Sequence, residues 1–105
     1  MSMLNTNIVD GIAIKGNNCL VLLLTDSLNW KKEFEHLSAL QDKINAYIAF
    51  CESKQYAKYF QSDLIENCIF EIHFLHEPTK NALKFLSQVQ RQLAPEGIII
   101  ECHVD

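Results

Sequence analysis

Arginine occurs once in this 105-residue chain, at Arg91, and the nine basic residues are outnumbered by thirteen acidic ones. The net charge is −4, and the lysines (Lys15, Lys31, Lys32, Lys43, Lys54, Lys58, Lys80, Lys84) are scattered. No basic patch forms, so no nucleic-acid partner is expected. One guanidinium is too few for bidentate reading of phosphates or guanines. Glycine (three) and proline (two) are scarce, which excludes collagen-like and low-complexity chains. With 49% hydrophobic and 21% charged residues the chain is not intrinsically disordered. The longest apolar run, residues 19–24, is six residues long, against about 20 for a membrane helix. The N-terminus, MSMLNTN, lacks the basic start and apolar stretch of a signal peptide. A soluble, cytoplasmic protein with no membrane partner is therefore expected. The four cysteines (Cys19, Cys51, Cys68, Cys102) form no Cys-x-x-Cys motif. Each sits in an apolar run and reads as a reduced thiol, with at least three expected to be buried. There is no Gly-rich phosphate loop, no His-Glu-x-x-His and no EF-hand loop, so no cofactor is expected.

What is present suits a single domain over residues 1–105. A chain of 12.1 kDa can bury about two-thirds of its unfolded surface, enough for a core without disulfides or a structural metal. Residues 8–15 alternate, with Ile8, Ile12 and Ile14 on one face. Gly16-Asn17-Asn18 tolerates positive φ and predicts a hairpin. Residues 19–25 form an almost wholly apolar strand, hence one covered on both faces or central in its sheet. Candidate caps at 26–29 precede a helical pattern from Trp30 to about Ser53. A short helical turn with Tyr56, Tyr59 and Phe60 is expected over 55–60, then a loop over 61–67. Residues 68–75 alternate as a strand. Pro78 suits the first position of a second helix. That helix carries Ala82, Phe85, Leu86, Val89 and Leu93 in one stripe and ends near Pro95-Glu96-Gly97, with Gly97 at the turn. Residues 98–104 form the last strand. The order β-β-α-β-α-β predicts an α+β two-layer sandwich. Its four-stranded mixed sheet has order 1-2-3-4, with two helices on one face. The expected core is Leu22, Leu24, Phe34, Leu37, Ile44, Ile48, Phe70, Ile72, Phe74, Phe85, Leu86, Val89, Ile98 and Ile100.

The stretches DSLNW (26–30) and HLSALQDKINAYIAFCESKQ (36–55) carry a resemblance. They are similar to a pattern, Asp-x-Leu-x-Trp followed by HLxxLQxKINxYxxFxExxQ, shared by small bacterial proteins of about 100 residues that form a domain of unknown function. The resemblance covers residues 8–56 closely and the rest in outline. It implies a bacterial source and a single domain, and brings no activity. Lys54 stands where the pattern favours Gly, at the expected helix C-cap.

Three constellations can carry chemistry. Glu71 and His73 on the third strand, and Glu101 and His103 on the fourth, lie opposite the apolar faces of those strands. Residues i and i+2 point the same way about 7 Å apart. Two imidazoles with carboxylates are a possible ligand set for a zinc-like ion. The commoner role of such a pattern is a solvated face with cross-strand Glu-His pairs, or an interface, because Ile69, Leu75 and Ile99 share the surface. We assign Glu71, His73, Ile99, Glu101 and His103 to a ligand or interface surface, and no metal. The second set lies at the C-terminal edge of the parallel strands, where α/β sheets bind ligands. There Asp26, His36 and His76, with Asp10, Glu77 and Asp105 near, are weak candidates for acid/base catalysis. The ordinary role of Asp26 is a cap. The third set is Gln41 and Asn45 on the long helix, as ligand-fixing amides or, more ordinarily, as buried tethers for the following loop.

No assembled catalytic set is visible. The expectation is a protein–protein interaction module, self-associating as a homodimer or binding a basic protein partner in the manner of an immunity protein. The rival expectation is a small-molecule or metal-binding protein, a hydrolase among the options, using the Asp and His residues of the strand edge.

Overall fold

A computed structural model of the chain describes residues 9–16, 18–54 and 65–105. In chain order the elements are β1 (Gly11–Lys15), β2 (Cys19–Asp26), α1 (Glu33–Glu52), β3 (Asn67–Phe74), α2 (Lys80–Leu93), a 3-10 turn (Ala94–Glu96) and β4 (Ile98–Val104). The sheet order is β1-β2-β3-β4. β1 runs antiparallel to β2, and β2, β3 and β4 are mutually parallel. Both crossovers step one strand in the same direction, and right-handed connections then place α1 and α2 over the same face. This is the expected α+β architecture. Ile8, Asn17 and the region 55–64, with Tyr56, Tyr59 and Phe60, lie outside the described residues.

In-register neighbours share a face, so the core floor is a set of rows. Ile14-Leu20-Cys68-Ile98 and Ile12-Leu22-Phe70-Ile100 run across all four strands. Leu24-Ile72-Cys102 and Asp26-Phe74-Val104 run across three. Leu20, Leu22, Leu24, Phe70, Ile72 and Phe74 are fully buried. α1 sets Leu40, Ile44, Tyr47 and Phe50 on this floor, and α2 sets Ala82, Leu86 and Leu93. The unbroken apolar run of β2 reflects its central place. Its inward residues are buried, while Cys19, Val21 and Leu23 on the other face are only half-covered.

Several local features depart from the spacing. α1 begins at Glu33, three residues after Trp30, because Asp26 and Asn29 each cap a turn of the preceding loop. Asp26 accepts the Leu28 N–H and Asn29 accepts the Lys31 N–H. The helical phase therefore runs through His36, Leu40, Lys43, Ile44, Tyr47 and Phe50. Phe34, two residues before His36, is turned about 200° from that stripe and is 83% exposed rather than in the core. Leu37, Ile48, Phe85, Val89 and Ile100 are half-buried. α2 is capped by the Thr79 hydroxyl, which accepts the Ala82 N–H at 3.1 Å, so Pro78 lies just outside the helix rather than in it. Gly97 is the turn residue, at φ +77°. The four cysteines are free, but only Cys68 is buried; Cys19 and Cys51 are half-buried and Cys102 is exposed. The expectation of three buried thiols fails because Cys19 faces the helix-free side and Cys102 sits on an edge strand whose cover thins towards its end.

That edge is protected elsewhere. The Gln90 side chain donates to Ile98 O at 3.0 Å and accepts from Ile100 N–H at 2.6 Å. It takes the outward backbone groups that a further strand would otherwise pair with.

Two stability predictions follow from the packing. Phe70→Ala empties a fully buried central site and is expected to cost about 3–5 kcal/mol in urea unfolding. Lys54, just past α1, holds φ +57° while its N–H donates to Cys51 O, a left-handed conformation that a side chain disfavours by about 1–2 kcal/mol. Against the larger unfolded-state entropy of glycine, Lys54→Gly is expected to stabilise by about 0.5–1 kcal/mol.

Candidate functional site

The strand-edge candidates are drawn together by α1. Asp26 is the last residue of β2 and faces inward, with its side chain fully buried. His36, in the first turn of α1, brings Nε2 to 2.5 Å from Asp26 Oδ2, and its Nδ1 lies 3.1 Å from Asn29 O. A carbonyl can only accept, so Nδ1 carries a hydrogen, and Nε2 and Oδ2 share another. Trp30 stacks on the imidazole at 3.6 Å between centroids, and its indole N–H donates to His76 O. Both nitrogens of His36 and both oxygens of Asp26 are thus engaged within the fold. His76 contributes its carbonyl, while its residue is otherwise exposed. A groove of about 380 Å³ beside the loop is lined by Leu28, Asn29, Lys31, Lys32, Glu35, His36 and Ala39. The imidazole contributes to its wall and is 3% exposed.

A second buried cluster lies further along α1. Lys43 is 0% exposed, its Nζ 3.4 Å from Asp10 Oδ1 and 5.6 Å from the Tyr47 ring centroid. Asp10 Oδ2 accepts from the Thr25 N–H and hydroxyl. The Tyr47 hydroxyl accepts the Asp10 N–H and donates to Leu23 O at 2.5 Å. Burial pushes the Tyr47 phenol far above its ordinary range. Spacing singled out Gln41 and Asn45 as the interior polar groups of this helix. Both are exposed, and Lys43, one step round, is the buried one. The signal was available in phase, since Lys43 sits seven residues after His36 and four before Tyr47.

The opposite face of the sheet has no helix over it among the described residues. Three rows cross it: Val21-Ile69-Ile99, Leu23-Glu71-Glu101 and Thr25-His73-His103. The Glu-His pairs expected across strands lie instead along each strand, because parallel register sets like beside like. His73 Nε2 is 2.6 Å from Glu71 Oε1, and His103 Nε2 is 3.9 Å from Glu101 Oε1. Across the strands the two imidazoles stack at 4.8 Å between centroids. Asp105 Oδ1 lies 3.5 Å from His73 Nδ1. The Glu71 carboxylate bonded to His73 holds its imidazole above the usual histidine range despite partial desolvation, and Asp105 adds to this. Ile99 and Leu75 are 48% and 55% exposed, whereas Ile69, flanked in its row by Val21 and Ile99, is buried. Glu71, His73, Ile99, Glu101 and His103 are thus brought into one patch.

At the other end of the sheet, Cys51 and Cys68 share a hydrogen bond that raises the Cys51 thiol and lowers that of Cys68. They line a depression of about 310 Å³ with Glu52, Lys54, Ile65, Glu66, Glu96 and Ile98. No helix among the described residues is long and apolar enough to cross a membrane.

The family model of a family of unknown function (DUF6572) matches residues 1–105, and the chain belongs to that family. No curated protein and no solved structure matches it.

The buried Asp26–His36 contact generates a prediction about stability. Removing one member of a buried hydrogen-bonded pair leaves the other's polar group unmet, at about 1–3 kcal/mol, so Asp26→Ala should lower urea stability by that order. Asp26→Asn should cost less. Its Oδ1 still accepts the Leu28 N–H, and its Nδ2 can donate to Nε2 of a neutral, Nδ1-protonated imidazole. Unfolding followed by Trp30 fluorescence checks the order of the two variants.

Proposed function

We propose that this family member is a cytoplasmic interaction module that pairs with a second copy of itself through the open face of the sheet, and that it binds neither nucleic acid nor membrane. The observation that carries this is the order of the rows. Along β3 the outward residues are Ile69, Glu71, His73 and, just beyond the strand, Leu75. A two-fold axis parallel to the sheet plane and above the open face, running across the strands between the Glu and His rows, lays the Glu row of one copy over the His row of the other. The same operation sets Ile69 against Leu75. An isologous contact requires such self-complementarity; on β3 it matches a polar centre with apolar flanks, while on β4 it sets Ile99 against Asp105. Four free thiols agree with a reducing compartment. The acidic charge supports the exclusion of nucleic acid.

Magnitude sets the strength. Three to four strands about 4.8 Å apart and about 23 Å long present a footprint on the order of 400 Å². That is roughly half the ~800 Å² per partner of a standard interface. The dimer is therefore expected to be weak and concentration-dependent, and sensitive to salt through its Glu-His contacts. Sedimentation velocity over a concentration series should show dimer that recedes with added salt and is lost in Ile99→Glu, an exposed position whose change leaves the core intact. A chain that stays monomeric at about 100 µM, or a dimer untouched by Ile99→Glu, defeats the proposal.

A further inference from the structure

We propose that Glu71, His73 and His103 together bind one divalent transition-metal ion of the zinc class on the open face of the sheet. One carboxylate oxygen and two imidazole nitrogens from these residues lie within 4.8 Å of one another. Ligands of a tetrahedral zinc with bonds of about 2.0–2.1 Å are about 3.3 Å apart. The widest gap therefore closes by about 1.5 Å, and the 2.6 Å Glu71–His73 contact opens by less than 1 Å. Rotation of these half-exposed side chains suffices, with no change of backbone.

The surroundings favour a cation. Parallel register puts Glu71 beside Glu101 and His73 beside His103. Like groups directly opposite one another across strands are unfavourable when charged, and a divalent ion between the rows relieves the carboxylate repulsion. It also requires the imidazoles to be neutral, which removes any repulsion between the two stacked rings. Asp105, 3.5 Å from His73 Nδ1, stands where a carboxylate orients a histidine that ligates through Nε2. Glu101, 3.9 Å from His103 Nε2, can supply an oxygen as the fourth ligand or leave that position to water. Two nitrogens and an oxygen suit zinc and its neighbours and do not suit calcium or magnesium, which take oxygen ligands. The site is complete within one chain and does not depend on the pairing of two copies.

The test is titration of the purified protein with Zn²⁺ by calorimetry, in the wild type and in Ile99→Glu, His73→Ala and His103→Ala. One ion per chain is expected in the wild type and in Ile99→Glu. Affinity should fall at least about tenfold in each histidine variant, and excess Mg²⁺ or Ca²⁺ should not compete. Co²⁺ in place of Zn²⁺ should give a spectrum without thiolate charge transfer. No binding to the wild type overturns the site. So does binding that both histidine variants leave unchanged, which places the ion elsewhere, or a thiolate–cobalt band, which places it on cysteines. Loss of the ion in Ile99→Glu overturns a site within one chain. A monomeric wild type that still takes one ion on the histidines upholds the site and defeats only the pairing.

Discussion

A carboxylate without water must be met by the protein, and Asp26 is such a group. It ends β2 pointing into the core, so something from the layer above has to reach it. His36 does so, and once its ring is held between Asp26, Asn29 O and Trp30, the rotation of α1 about its own axis is set. That rotation decides which side chains of α1 enter the core. Leu40, Ile44, Tyr47 and Phe50 follow from His36 at helical steps, and Phe34 is left in solvent. Seven residues on from His36, Lys43 meets Asp10 and fastens the same helix to the start of β1. Two polar clasps thus join α1 to the open end of the β1–β2 hairpin, one at the end of β2 and one at the start of β1. Buried polar groups of this kind add little net stability over an apolar core, but they exclude alternative docking registers, because any other register leaves them unmet.

The same clasps draw on residues of the stretches DSLNW and HLSALQDKINAYIAFCESKQ. Asp26, Trp30, His36, Leu40, Lys43, Ile44, Tyr47 and Phe50 are the residues that hold α1 to the sheet. Leu28 takes part through its backbone N–H. The helix-free face is built largely from β3 and β4, outside those stretches.

With both helices on one side, the other side of the sheet carries a mixture of aliphatic, acidic and imidazole groups. Period-two alternation puts Glu71 and His73 together on one strand and Glu101 and His103 on the next, and parallel register then aligns them into rows. A face of this kind suits both a second copy of itself and a transition-metal ion. The two uses draw on different features, the apolar flanks in one case and the imidazole stack in the other.

Much of this was legible in the residues. Alternation, the Gly16 turn, Pro78 near the start of the second helix, Gly97 and the apolar stripes determine the order of elements, and the handedness of crossovers turns that order into one sheet with helices on one face. The residues that face away from the helices, Glu71, His73, Ile99, Glu101 and His103, were equally plain, because a side chain on a strand has only two directions. What sequence spacing left open was phase and pairing. Spacing starts the helical stripe at Trp30, which is not in the helix, and so puts Phe34 inside and favours Gln41 and Asn45 over Lys43. Lysine is seldom buried, and Asp10, 33 residues away in sequence, is among the groups that meet it. Strand register likewise decided that Glu pairs along the strand with His and stands across from Glu. Periodicity is a local property and can be read one element at a time. Contacts between elements depend on where the whole chain has brought them, and only the tertiary structure decided those.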